Sequence, residues 1–106
     1  MLVDLLSRPD APKINRLVTV GSQSPLFFAI DALESLRRRA GERPFTPWLN
    51  IFDRNDFLSF CAERTFPNVK GIADNEVVSG VPFPESHSAY WHLNDVYSMI
   101  AAFWPR

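Results

Sequence analysis

Leu17-Val18-Thr19-Val20 is a nearly continuous apolar, β-branched run that ends on Gly21-Ser22-Gln23-Ser24-Pro25. A strand covered by protein on both faces reads this way, because neither face has to alternate with water. Such strands belong to parallel sheets, whose neighbouring strands are joined by crossovers, usually helical. Ser24 suits the cap of a following helix, and Pro25 suits its first position. The run therefore predicts a strand over 14–20, a turn and then a helix, which places the chain in the α/β class.

The rest of the chain repeats that alternation. The helix after Pro25 is expected to reach about Ala40, with Leu26, Ile30, Leu33 and Leu36 on one stripe and Gly41 as its stop. Arg37-Arg38-Arg39 lies at its negative end as a solvated basic cluster. Pro44 and Pro47 bracket a connection to a second strand, Trp48-Leu49-Asn50-Ile51-Phe52. Asp53 to Asp56 reads as a loop and Phe57 to Glu63 as a short helix. Asn68 to Ala73 reads as a third strand, continued by Glu76-Val77-Val78. Gly80 to Ser88 is a proline-broken loop. A last helix is expected from Asn94 to Trp104, burying Val96, Ile100 and Phe103, with Asp95 in its first turn. Upstream, Leu2-Val3-Leu5-Leu6 resembles the end of an apolar helix, closed by Ser7 to Pro12. The expected fold is three parallel strands with flanking helices, joined by right-handed crossovers.

Composition narrows the function classes. The chain has 106 residues, 46% hydrophobic and 22% charged, so it reads as globular rather than disordered. A net charge of -1 does not fit nucleic acid as a partner. Met1 to Ser7 makes no signal peptide, since Asp4 interrupts a short apolar run. The apolar stretch from Pro25 to Leu33 contains Asp31 and is too short to cross a membrane. The one cysteine, Cys61, excludes an internal disulfide and points to a reducing, cytoplasmic compartment. Nine phenylalanines and three tryptophans need more core than so short a chain readily offers. Together with an edge strand that lacks a neighbour, they lead to the expectation of a missing N-terminal half, or of self-association through that edge.

In open parallel sheets, sites form beyond the carboxyl ends of the strands. Three segments are expected there: Gly21-Ser22-Gln23-Ser24, Asp53-Arg54-Asn55-Asp56, and the loop carrying Ser86-His87-Ser88. An acyl-transfer site needs a histidine to take a proton, and a carboxylate to hold its tautomer and stabilise its charged form. Asp56, just past the second strand, and His87, just before the last helix, are a carboxylate and the histidine in those segments. No glycine-rich phosphate loop and no metal-ligand spacing occurs, and no cofactor is implied. Cys61 among Phe57, Leu58, Phe60 and Ala62 reads as a buried, inert thiol rather than the partner of His87. His92 falls on or near the last helix as a surface or packing residue. Trp48, Trp91 and Trp104 are expected in the core or at its edge, and Tyr90 is expected to pack the last helix.

Three segments taken together resemble the C-terminal half of a lipase- or esterase-like α/β-hydrolase. Val18-Thr19-Val20-Gly21-Ser22 resembles the strand end that follows the nucleophile helix. Trp48-Leu49-Asn50-Ile51-Phe52-Asp53-Arg54-Asn55-Asp56 resembles the segment carrying the acid, and Ser86-His87-Ser88-Ala89-Tyr90-Trp91 resembles the segment carrying the histidine. The three cover most of the chain from Arg16 onward. The resemblance implies a partial α/β-hydrolase fold with Asp56 as the triad acid, Asp53 as the alternative acid, and His87 as the base. It also implies a substrate that is an ester or lipid-like.

The departure is the nucleophile, which the family carries in G-x-S-x-G on a strand-to-helix turn. That pattern does not occur in these 106 residues. Gly21-Ser22-Gln23-Ser24-Pro25 comes nearest but lacks the second glycine, which makes Ser22 a residue bordering the site. By the resemblance, Met1 falls inside the helix after the missing serine, and residues 1–106 form the C-terminal portion of one hydrolase domain, inactive alone. The alternative is a non-catalytic interaction or oligomerisation module that retains half of the fold.

Overall fold

The computed structural model describes residues 5–6, 8, 10–30, 45–66 and 69–104. Its elements run β1 (Leu17–Val20), α1 (Ser24–Ala29), β2 (Trp48–Phe52), β3 (Ile72–Glu76), α2 (Ser86–Ala89), a 3-10 turn (Tyr90–His92) and α3 (Asn94–Phe103). The strands form one sheet in the order β1-β2-β3, and both pairings are parallel. The chain is thus α/β, as the β-branched runs imply. The readings at Leu2, Val3, Leu33, Leu36, Arg37-Arg38-Arg39, Gly41, Pro44 and Asn68 fall outside the described residues.

β2 is the central strand, and its alternation builds the core on both sides of the sheet. Trp48 faces a cluster of Leu6, Leu17, Phe45, Ala62, Phe66 and Ile72, with Phe27 packed against it. Leu49 and Ile51 point the other way, to Val77, Tyr90 and Val96, with Ile100 and Phe103 of α3 alongside. Val96 is fully buried, which stabilises the seating of α3 by about 1.5–3 kcal/mol. Arg16 closes the far end of α3 by lying 5.0 Å from the Phe103 ring centre.

One polar residue breaks the apolar pattern of β2. Asn50 is fully buried, and the register places it between Thr19 of β1 and Asp74 of β3. Trp48 Nε1 donates to Thr19 Oγ1, which donates to Asn50 Oδ1, both at 2.8 Å. Asn50 Nδ2 donates to Asp74 Oδ1 and to the Phe60 carbonyl, again at 2.8 Å. A ladder of polar groups therefore crosses the sheet with its partners satisfied, as burial demands.

Several local expectations are corrected. Phe57 to Glu63 is a series of turns, not a helix. Side chains take the backbone groups a helix would use: Asp56 accepts from Leu58 N at 3.0 Å, and Asp74 accepts from Ala62 N and Glu63 N, both at 2.9 Å. The third strand starts at Ile72, because Val69 N bonds back to the Phe66 carbonyl and the pairing with Trp48 begins only at Ile72. Its sequence Ile-Ala-Asp-Asn-Glu has poor strand propensity, which the ladder to β2 overrides. Leu26 and Ile30 of the expected buried stripe are exposed, while Ser24 and Pro25 are buried. Ser22, not Ser24, satisfies the start of α1, since Ser24 N donates to Ser22 Oγ at 3.1 Å. Trp91 and Trp104 are exposed, so of the three tryptophans only Trp48 belongs to the core. Cys61 is half-buried rather than enclosed.

Candidate functional site

The carboxyl ends of the three strands converge on one place. β1 ends at Val20 and is followed by Gly21, whose N–H donates to the Ile51 carbonyl at 2.9 Å. β2 ends at Phe52 and leads into the turn Asp53 to Asp56, and β3 leads through Val77 to Ser79. The segment from Gly80 folds back over these ends. Asn55 Nδ2 donates to the Val81 carbonyl at 3.3 Å, and Ser86 Oγ donates to the Asn55 carbonyl at 2.9 Å. Ser86 is fully buried and anchors the start of α2. His87 therefore sits on a helical turn rather than in a loop: Ser86 N and His87 N already bond back to the carbonyls of Pro82 and Pro84.

This packing brings Asp56 and His87 together. His87 Nδ1 lies 2.9 Å from Asp56 Oδ2 and 3.1 Å from Oδ1. The Asp56 side chain is wholly buried, whereas that of His87 is 40% exposed. The carboxylate has two further donors, Tyr90 Oη to Oδ2 at 2.7 Å and Leu58 N to Oδ1 at 3.0 Å. A buried charge persists only when paired and hydrogen-bonded, and here all the neighbours donate. An ionised carboxylate can only accept, so Nδ1 carries a proton, and in the neutral ring Nε2 offers its lone pair. Among the described residues none hydrogen-bonds to Nε2, and part of the ring faces solvent. A histidine so held can take a proton from a hydroxyl that reaches Nε2.

Asp53 is as deeply buried as Asp56 but faces elsewhere. Its Oδ1 accepts from Asn55 N and its Oδ2 from Ser79 N, both at 2.9 Å. Burial pushes its carboxyl up, yet the Ser79 hydroxyl and the N–H groups of Asn55 and Ser79 outweigh that and hold it below the ordinary carboxylate value. Asp53 ties the turn after β2 to the segment after β3, and the hydrogen bond of His87 Nδ1 goes to Asp56 instead.

Ser22 lies next to Gly21 at the edge of this cluster and is half-buried. Its hydroxyl donates to Ser24 Oγ at 3.0 Å, and its carbonyl accepts from Phe60 N at 3.3 Å. No described serine hydrogen-bonds to His87. Cys61 lies apart in a groove of about 640 Å³ with Phe52, Arg54, Arg64 and Glu76, which Asp56 and His87 do not line. Burial first, and then the charge of Asp74, push its thiol up, which disfavours the thiolate that nucleophilic chemistry needs. His92 is exposed on the 3-10 turn. Among the described residues no three His, Cys, Asp or Glu side chains converge as metal ligands, and no helix is long and apolar enough to cross a membrane.

Tyr90 is the member of the cluster that sequence reasoning missed. It stands three residues after His87, and on helical turns that spacing puts both side chains on one face. It is buried beneath Asp56 rather than only packing α3. Its hydroxyl accepts from Asp53 N at 3.1 Å while donating to Asp56. The signal available in the sequence was the phenol one helical turn beyond the histidine.

A scan against protein-family models and searches of curated proteins and of solved structures each found no match.

Proposed function

We propose that this chain carries the histidine and acid of a serine hydrolase of the α/β-hydrolase type, acting on esters or lipid-like acyl substrates through an acyl-enzyme. The observation that carries the reading is the 2.9 Å contact between His87 Nδ1 and the buried Asp56 carboxylate, at the carboxyl ends of parallel strands, on a ring that is part-exposed to solvent. In this reading Asp56 fixes the tautomer of His87 and stabilises its charged form. His87 takes the proton of a serine hydroxyl as that oxygen attacks the acyl carbon, and returns it to the leaving alcohol. The serine comes from sequence outside these 106 residues, because no G-x-S-x-G occurs within them. Asp53 is set aside as the acid because its oxygens face the amides of Asn55 and Ser79, while His87 Nδ1 hydrogen-bonds to Asp56.

The test is a fluorophosphonate probe applied to the protein from its native source, followed by intact mass. One adduct on a species containing this chain supports the reading, and its loss in His87→Ala assigns the base. His87→Ala removes one donor from the buried Asp56 carboxylate and should cost about 1–3 kcal/mol of stability while leaving the fold intact. Full labelling in that variant would overturn the role of His87.

A second reading, an association module, is favoured by one observation: no described strand pairs with the outer edge of β1. It predicts an unlabelled protein whose mass in solution, by light scattering, is a multiple of 12.1 kDa.

A further inference from the structure

We infer that Tyr90 is a positioning residue of the proposed site, holding the Asp56 carboxylate in the orientation that His87 requires. The inference rests on the reading of Asp56 and His87 as a general-base pair and adds a third member to it. The geometry is directional. The Tyr90 oxygen accepts the N–H of Asp53 at 3.1 Å, so its own hydrogen is left for Asp56 Oδ2 at 2.7 Å. That same Oδ2 is the nearer partner of His87 Nδ1. Phenol and imidazole thus share one carboxylate oxygen, and the other oxygen is pinned by Leu58 N. Without the phenol, Oδ2 would be held by the half-exposed histidine alone, and the carboxylate could turn about its Cβ–Cγ bond.

The surroundings fix the phenol ring in place. Its ring is buried in the cluster of Leu49, Ile51, Val77 and Val96. A Cβ at position 21 would stand 2.9 Å from the ring and 3.2 Å from Asp56 Oδ2, so the end of β1 is cut back to glycine where Tyr90 and Asp56 meet. Burial above all raises the Tyr90 hydroxyl far above the ordinary phenol value, although a hydrogen bond with Ser59 opposes it. The group therefore remains a donor throughout the range in which histidine works. Tyr90 touches no reacting atom and acts only through Asp56.

The experiment is nitrogen-15 NMR of the full chain, reading the tautomer of His87 and the solvent exchange of its Nδ1 proton. Wild type is expected to show the Nδ1-protonated tautomer and a low-field proton. Tyr90→Phe, which keeps the ring and removes the hydroxyl, is expected to exchange that proton roughly tenfold faster, the scale of one lost hydrogen bond to a charged group. Val96→Ala, in the same core cluster, is expected to lower stability without changing the exchange, which separates positioning from packing. If Tyr90→Phe does not fold, 3-fluorotyrosine at position 90 serves instead. A stronger phenol donor draws charge from the shared oxygen and should move the Nδ1 proton upfield. A wild-type His87 without the Nδ1-protonated tautomer would overturn the base pair and the Tyr90 role together. A normal wild-type signal unchanged by either Tyr90 variant would overturn the Tyr90 role alone.

Discussion

Gly21→Ala should destabilise the protein well beyond what backbone strain accounts for. Gly21 has φ +62, in the left-handed region, where a side chain costs about 1–2 kcal/mol. Gly80 has φ +76 and meets the same backbone penalty, but a Cβ there finds nothing within 4 Å. At Gly21 the new methyl would meet Tyr90 Cε2 at 2.9 Å and Asp56 Oδ2 at 3.2 Å. Neither can yield freely, since the Tyr90 hydroxyl is bonded at both its donor and acceptor sides and Asp56 is held by donors on both oxygens. Overpacking of this kind adds about 1–3 kcal/mol. Part of the strain is offset in both variants by the less flexible unfolded chain, worth about 0.4–1 kcal/mol. The expected costs are about 1 kcal/mol for Gly80→Ala and about 2–4 kcal/mol for Gly21→Ala. Urea unfolding followed by the fluorescence of buried Trp48 measures both. Equal midpoint shifts would refute the claim that Tyr90 and Asp56 are packed rigidly against the end of β1.

Two further outcomes follow from the polar groups. Asn50→Ala should cost about 2–4 kcal/mol in the same urea assay, because Thr19, Asp74 and the Phe60 carbonyl lose a buried partner at once; a cost below about 1 kcal/mol would show that water takes its place. Asp53 makes stability depend on pH with a definite sign. Its folded value is held below 3.8, so the stability it contributes is present above that pH and is lost as pH falls through the lower folded value. Asp53→Asn should therefore flatten the loss of stability below pH 3.8 while costing about 1–3 kcal/mol near neutrality, as one backbone N–H loses its carboxylate. An acid limb identical in slope to that of the wild type would remove Asp53 as its source.

The parts legible in the sequence are those set by local pattern. Leu17 to Val20 announces itself as a parallel strand by its nearly continuous apolar, β-branched run, and Trp48 to Phe52 as a second strand after Pro44 and Pro47. Val96, Ile100 and Phe103 define α3 by their spacing alone. That the turn Asp53 to Asp56 and the segment carrying His87 would lie beyond the carboxyl ends of the strands was readable too, though not which aspartate would meet the histidine. The parts that misled were those where distant groups compete with local preference. Phe57 to Glu63 has no helix because the Asp74 carboxylate, reaching across from β3, claims the amides of Ala62 and Glu63. Ile72 to Glu76 is a strand because β2 offers a ladder, against the propensity of Asp74 and Asn75.

The sequence by itself indicated the α/β class and the strands at Leu17–Val20 and Trp48–Phe52, while the order β1-β2-β3 that makes the second of them central came from the tertiary structure. Only the tertiary structure decided which aspartate faces the histidine. Asp53 and Asp56 stand in one turn and are equally buried; nothing in their order distinguishes them. Asp53 is turned toward the amides of Asn55 and Ser79, while the fold-back of Gly80 to Ser86 carries His87 and Tyr90 onto the oxygens of Asp56. Each carboxylate oxygen can accept more than one hydrogen bond, so which donor reaches it is set by packing rather than by local sequence.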